Sequence, residues 1–550
     1  RALSTPSNVI ATLGSCHDRP WGALGIIDRS LGVDGQKPII RTWPADFRNR
    51  CHGSNLTNFD LRDYINGNEG SVRQDFDSTR GIRLKYADPF PLDDEHFICC
   101  RMTGRGEEMG LVYLDLHGNE VLFHTEAPGC HAPIVLRASR KPPVIETKRN
   151  WEAPNAPGRF YVQNVYIGTH MKGVEKGSIK ALRIVESPEK RSWTRPLGWN
   201  GQGEQPACMN WHSFENKRIL GTVPVEEDGS AYFEVPGNTY VYFQALDKDG
   251  KMVQSMRSGA YLQPGELYGC VGCHEDRVGD VPKTDKQALA MQRAPSKLDG
   301  AYNLFGLEKG TPPHFYSYMT EVQPIFNRRC VACHDYGKDP AKKLCLSGDK
   351  GAYFNASYVD LWGQGYIREA GGGPADILPA KTWGSYVSKL TGFLNPEHGK
   401  CGITPEERMR VITWMDINAP YWPRYEVAWP ESIGGRMPLT RAEFGRLQNL
   451  SGIRVANSSK DRRKQREMLN FDRPEFSRIL EPLKGKPAYA EALNIIKAGK
   501  ERLKTNPRAD MPGFKMCKTD QARNDRYARR FEEECKVYKA IRSGEKVYDK

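Results

Sequence analysis

The chain has no run of about 18–20 consecutive apolar residues, the length a helix needs to cross a bilayer, so no helical membrane span is expected. It opens on Arg1-Ala2-Leu3, without an initiator methionine or an apolar signal core. That start reads as a mature or trimmed product from which a signal peptide has been removed. Histidine is scarce, 12 in 550 residues, so each histidine in a special position carries weight. No nucleic-acid motif accompanies the net charge of +13. The basic runs (Lys460, Arg462, Arg463, Lys464 and Arg466; Arg523, Arg526, Arg529 and Arg530) are interleaved with acids, as on a solvated helix face. This argues against a nucleic-acid partner and leaves plain solvation or attraction for an acidic redox partner.

What the chain does have is one five-residue pattern twice: Cys270-Val271-Gly272-Cys273-His274 and Cys330-Val331-Ala332-Cys333-His334. C-x-x-C-H is the attachment signature of a c-type haem. Two thiols at this spacing can add to the two vinyl groups of one porphyrin, and the adjacent histidine then faces the iron. The competing readings are a zinc knuckle and a thioredoxin-like dithiol. A zinc ribbon pairs two C-x-x-C units at a usual gap of about 15–20 residues and needs no histidine after each, whereas these copies start 60 residues apart. Two covalently bound haems c are therefore expected, which implies export to the periplasm or an equivalent compartment. The remaining cysteines, of 14 in all, are numerous for a cytosolic enzyme and suggest disulfides. Cys517–Cys535, Cys345–Cys401 and Cys16–Cys51 are candidate pairs.

Hydrophobic residues at 39% and charged residues at 27% describe a globular chain, and its length suggests three or four domains. The expected class is multidomain α+β. Residues 1–150 read as a β-propeller-like portion, from short runs such as Leu24–Asp28 and the strand–turn–strand unit Gly110–His124. At ~40–45 residues per blade this stretch holds about three blades. Residues 151–285 read as a sandwich-like middle β domain carrying the first motif. Asp228-Gly229 and Asp249-Gly250 are hairpin signals between alternating strands in that domain. Residues 286–430 read as a mainly helical cytochrome c-like domain with the second motif, in which Thr404 caps a helix opened by Pro405. The stripe Met409, Ile412 and Met415 on this helix suits either a haem edge or ordinary core packing. Residues 431–550 read as a charged helical extension that wraps or docks.

His274 and His334 are the default proximal iron ligands, and the sixth ligand decides function: a second strong ligand makes an electron carrier, an open position a site for small molecules. For the second haem the best distal candidate is His398, ahead of Met409 and Met415, in a loop just before the Thr404-capped helix. His314 is the other histidine near this domain. The first motif has no local partner in its next residues, so candidates come from the β regions: His17, His131, His170 and His212. His17, His131 and His212 are also the catalytic candidates around the first haem. Three further Cys-His dipeptides (Cys16-His17, Cys51-His52, Cys130-His131) exceed chance, and Cys with neutral His suits zinc. A zinc site using Cys16 and Cys130 near the first haem is one reading; unrelated buried thiols or a disulfide is the other.

The run Pro224-Val225-Glu226-Glu227-Asp228-Gly229-Ser230-Ala231-Tyr232-Phe233, then Val253–Ser258, Pro264-Gly265-Glu266 and Cys270–Glu275, resembles the middle domain of the hydrazine synthase alpha subunit family. Ser15–Gly22 and Tyr86–Leu92 resemble the propeller portion of that family, and Arg508-Ala509-Asp510-Met511-Pro512-Gly513-Phe514 resembles its tail. The resemblance spans essentially the whole chain. It implies a propeller, a middle β domain with a reactive haem, and a C-terminal domain whose bis-histidine haem, here His334 and His398, feeds electrons to the first. It also implies other subunits. In that family a tyrosine four residues after the first motif histidine binds the iron, and the histidine turns to a zinc that also has a cysteine ligand. Here that position is Val278, and no tyrosine lies between Cys273 and Tyr302. His274 is then expected to return to the iron, and hydrazine synthesis itself comes into question. The expectation is a haem-dependent oxidoreductase acting on a small nitrogen compound. The alternative is an electron-transfer cytochrome subunit with no catalysis of its own. A dihaem peroxidase fits less well, because its two domains are both helical.

Overall fold

The computed structural model describes all residues except 15–20, 33–36, 46, 48–83, 104–107, 139–140, 142, 144, 151, 154, 190–215, 257, 274, 276–286, 299–311, 369–377, 456–465 and 546–550. The architecture is α+β, in two compact units, Arg1–Glu146 and Thr147–Lys550. No helix among the described residues is long and apolar enough to cross a membrane.

The first unit is one antiparallel sheet of seven strands: β1 (Asn8–Gly14), β2 (Gly22–Asp28), β3 (Ile39–Trp43), β4 (Tyr86–Pro91), β5 (His96–Met102), β6 (Met109–Asp115) and β7 (Glu120–His124). Their order is β1-β2-β4-β5-β6-β7, with β3 also on β2. Alternation drives it: Val112 and Leu114 of β6 are fully buried with Ile10, Leu24 and Phe97, while the residues between them are only partly covered. The expected Gly110–His124 unit is present. Asp115 closes its turn by accepting from the backbone N–H of His117 and of Asn119, both at 2.9 Å, and Leu111 pairs with His124. No closed ring of blades is present among the described residues.

The second unit opens with two sheets. One has the order β10-β9-β12-β13 with β14 on β12; the other is β11-β8-β15. The strands are β8 (Gly158–Val162), β9 (Ala181–Glu186), β10 (Arg218–Pro224), β11 (Ala231–Val235), β12 (Tyr240–Leu246), β13 (Met252–Ser255), β14 (Ala260–Tyr261) and β15 (Leu267–Cys270). Phe243 from the first sheet meets Phe160 and Phe233 from the second at ring distances of 5.0 and 5.2 Å, edge on, a favoured aromatic geometry. One sequence expectation is corrected here. The Asp249-Gly250 turn does join paired strands, β12 and β13, but the Asp228-Gly229 turn does not make a hairpin. β10 pairs with β9 and β11 with β8. The turn is tight, closed by the Glu226 N–H on Ser230 O at 2.8 Å, but Val225 N–H is taken by Lys180 and Gly229 O by Val165. Those distant partners pull the two strands into different sheets.

The helical part shares one core running from Val185 and Ile219 to Ala509, so that the charged C-terminal region contributes Leu469, Phe471, Ile479, Ile496 and Leu503 to it. Met415 and Ile412 are core residues, and Met409 packs on the same cluster. Thr404 makes a full capping box with Glu407, as the sequence signals. The tail motif is buried too: Arg508 holds Asp510 through Nε and Nη2, both at 2.9 Å, and donates to Gly351 O. Two of the candidate disulfides are corrected. Cys517 and Cys535 stand at the cap and inside the helix Lys518–Arg542, about 27 Å apart at 1.5 Å per residue, far beyond the ~7 Å limit between bridged Cα atoms. Cys345 and Cys401 are likewise free thiols: Cys345 is held by Asp360, and the Cys401 thiol donates to Asn395 O. Cys16 and Cys51 lie outside the described residues.

Asp416, at the end of the helix Pro405–Asp416, pins the helical part to the sandwich. It accepts from the backbone N–H of Ser385 (2.7 Å) and of Met252 (3.0 Å). Burial pushes its carboxyl up to about 6, against the pull of Arg183 and these donors. The folded value lies above the unfolded 3.8, so the contribution to stability is full below about pH 4 and is lost as pH rises through about 6. At 1.36 kcal/mol per unit this is a swing of about 3 kcal/mol. Asp416→Asn is expected to remove that swing, read as a smaller fall in denaturant midpoint between about pH 4 and pH 7 than in the parent. An unchanged fall would assign the pH dependence elsewhere.

Candidate haem sites

The second motif follows the helix Gln323–Arg329. Cys330 and Val331 N–H groups both bond Phe326 O, and Cys330 O then accepts from Cys333 N (3.0 Å) and His334 N (2.9 Å). Cys330, Cys333 and His334 therefore share one turn. Cys330 is half-buried against the core and Cys333 is exposed. Burial, reinforced by Cys401 and Glu407, pushes the Cys330 thiol up to about 12, so it stays protonated at neutral pH. His334 Nδ1 lies 2.9 Å from Leu344 O. A carbonyl only accepts, so Nδ1 carries the proton and Nε2 keeps a free lone pair, the usual preparation of a metal-binding imidazole.

The structure brings His398 close to that ring. The two centroids are 6.2 Å apart and the planes differ by 31°. Two imidazoles on one metal, with about 2.0 Å from metal to nitrogen and roughly 1.1 Å from nitrogen to ring centre, would have centroids about 6.2 Å apart. The observed spacing matches that of two imidazoles sharing one metal. His398 is held by its N–H on Asn395 Oδ1 at 2.9 Å and by the edge of Phe393 at 5.2 Å. Met415 is buried in the core and His314 is tied to Glu321 at 2.6 Å, so neither competes. Sequence reasoning missed the brace behind the motif: Arg473 bonds Asp335 and Asp349 and lies over Tyr336. It missed Leu344 O as well; a backbone acceptor leaves no residue-type signal.

The first motif is presented differently. β15 runs parallel to β8, pairing Cys270 with Val162. Beyond the strand, Gln163 N–H bonds Cys270 O, Asn164 N–H bonds Val271 O, and Cys273 N–H bonds Ile167 O at 2.7 Å. The motif is thus stitched along residues 163–167. A methyl group at Gly272 would fall 2.1 Å from Ile167 O, and one at Gly168 equally close to Cys273 O. Both thiols pack on the sandwich core, and burial pushes them up, Cys270 to about 11 and Cys273 to about 12. His274 and Val278 lie outside the described residues, as do His17, His212 and Cys16. Among the other candidates, His170 is two residues beyond Gly168, and its Nδ1 lies 2.7 Å from Thr169 Oγ1. His131 is exposed in the N-terminal unit. Cys130 is buried there, beside His124 and Glu126.

Residues 177–275 match the hydrazine synthase alpha subunit middle domain. The chain is hydrazine synthase alpha-like. The hydrazine synthase subunit alpha of Kuenenia stuttgartiensis is 23% identical over 317 residues, covering 46% of this chain and 39% of that protein. The solved Kuenenia stuttgartiensis hydrazine synthase aligns with a TM-score of 0.45 and 19% identity, over 63% of this chain and 57% of the solved one. The chain thus spans about two fifths of the curated relative. The matched middle domain, residues 177–275, runs from just before β9 through the first C-x-x-C-H motif; the second motif and His398 lie beyond these residues.

Proposed function

We propose that this chain is a dihaem c-type redox protein of an exported compartment, with a haem at Cys270/Cys273 where a small nitrogen compound reacts and a bis-histidine haem at Cys330/Cys333 that relays electrons. The observation that carries the reading is the pair His334 and His398, whose ring centroids are 6.2 Å apart, with Nδ1 of His334 engaged by Leu344 O. When bound, a c-type haem supplies a one-electron couple and, where its sixth position is open, a place for a small molecule. In this reading the chain's residues do the rest. Cys330 and Cys333 would hold the second haem from a single turn, His334 and His398 would be its iron ligands, and the braced strand β15 would present Cys270 and Cys273 to the first. The likeness to a protein named as a subunit supports a place among other subunits, and a propeller-like role for the N-terminal sheet belongs to the same reading.

The test uses the haem-loaded full chain. Mass spectrometry should find two covalent haems. EPR of the ferric protein should show one low-spin bis-histidine signal and a second haem that responds to nitric oxide or cyanide. Two low-spin haems indifferent to both ligands would overturn the catalytic part in favour of a pure electron-transfer subunit; absence of covalent haem would overturn the whole.

A further inference from the structure

We propose that His124, Glu126 and Cys130 form a zinc-type metal site in the N-terminal unit, with the fourth position open to water. One ligand atom from each, the imidazole nitrogen, a carboxylate oxygen and the thiol sulfur, lies within 4.8 Å of the other two. His124 Nε2 and Glu126 Oε2 are 3.5 Å apart. The edge of a tetrahedron with about 2.1 Å from centre to corner is about 3.4 Å, the separation two ligands on one zinc require.

The backbone prepares this meeting, because both ends of the set are tied to β6. His124 is the last residue of β7 and pairs with Leu111. Cys130 N–H donates to Met109 O at 2.8 Å, two residues earlier on the same strand. The intervening chain returns through Gly129, whose φ of +130° is one L side chains rarely adopt and whose added methyl would lie 3.1 Å from Met109 N. The return therefore requires glycine, and it folds Cys130 under the end of β7. Cys130 is 6% exposed, while the side chains of His124 and Glu126 are 50% and 67% exposed. A cation would thus rest on a buried sulfur and face solvent, with room for a water.

The donor set selects the metal. One thiolate, one imidazole and one carboxylate match zinc, whereas magnesium and calcium favour oxygen alone. Three protein ligands with an open position is the arrangement of reactive rather than purely structural zinc. The Cys-His dipeptide at Cys130-His131 suggests His131 as a ligand; the structure instead supplies His124 from the strand. Cys100 lies behind the set, its thiol pushed up to about 12 by burial, with Asp88 and Cys130 among its neighbours. A Cys100–Cys130 disulfide is therefore the structural competitor. The site is independent of the haem reading and uses no haem-motif residue.

The test is cobalt substitution in the haem-loaded full chain, after removal of metal with a chelator. Difference spectra against untreated protein should show sulfur-to-cobalt charge transfer and the strong d–d bands of a four-coordinate centre. Zinc should displace the cobalt, with one zinc per chain lost on mutation. Cys130→Ser should abolish the charge-transfer band. His124→Ala and Glu126→Gln, at exposed positions that leave the sheet intact, should each weaken binding by roughly tenfold or more. Cys100→Ser should keep the site. Retention of the cobalt–thiolate band in Cys130→Ser, or affinity unchanged in His124→Ala and Glu126→Gln, would overturn the proposal. So would a Cys100–Cys130 disulfide in freshly isolated protein.

Discussion

Replacing His398 by alanine is expected to convert the haem at Cys330/Cys333 from low spin to high spin while leaving its covalent attachment intact. The expectation follows from the 6.2 Å spacing of the His334 and His398 rings and from the hydrogen bond that leaves His334 Nε2 free. Removing one ring leaves His334 anchored by Leu344 O and opens one side of the iron. The bis-histidine EPR signal should disappear, and cyanide or nitric oxide should then bind at that haem. The reduction potential should rise by on the order of 0.1 V, within the ~0.8 V that axial ligation commands. His398→Met should restore a low-spin state at a higher potential than the parent. If alanine leaves the low-spin signal unchanged, His398 is a surface residue and the relay assignment fails. Structure should be little disturbed, because His398 is exposed, on a short turn rather than in the core.

The second large effect is expected at Gly272. The two motifs differ at their third position, Gly272 against Ala332, and the structure gives a reason. Ala332 is exposed, with nothing like the Ile167 backbone packed against it among the described residues. Gly272 faces the backbone of Ile167, whose carbonyl oxygen would be 2.1 Å from an added methyl group. That oxygen cannot retreat without releasing Cys273 N–H, which it holds at 2.7 Å. Gly272→Ala therefore combines overpacking, about 1–3 kcal/mol or more, with a lost hydrogen bond worth about 1 kcal/mol. The Cys270/Cys273 spacing would be spoiled with it. Haem incorporation should fall from two per chain to about one, with the bis-histidine signal intact. Ala332→Gly, the reverse exchange in the other motif, should cost less than about 1 kcal/mol and leave both haems in place. Equal effects from the two exchanges would contradict the stitched first motif.

The same contrast marks how far the candidate sites were legible. The cysteines of each C-x-x-C-H unit and the histidine after them are legible as candidates, because haem attachment needs fixed spacing within five residues. His398 was readable as a candidate from its position before the Thr404 cap, although its approach to His334 depends on the packing of the segment between them. Arg473, which braces the second motif from the C-terminal region, carries no such mark. Nor does the partnership of Cys130 with His124: the dipeptide points to His131, whereas the side chain that arrives comes from the neighbouring strand. The Asp228-Gly229 turn was misread for a related reason. Its residues encode the reversal, but Lys180 and Val165 decide which sheet each flanking strand joins.

The sequence by itself determined what is local. It set the two C-x-x-C-H units, the capping box at Thr404 and Glu407, the hairpin at Asp249-Gly250, and the strand–turn–strand unit ending at His124. In each of these the decisive groups lie within a few residues of one another, so that spacing and residue type are sufficient. Only the tertiary structure decided how each of the two motifs is held. One is stitched to a neighbouring segment that demands glycine; the other is an exposed turn braced by Arg473, with a second imidazole near its own. Both differences come from groups far apart in the chain, brought together by burial of the shared core and by sheet pairing, and no local pattern records which distant backbone will arrive.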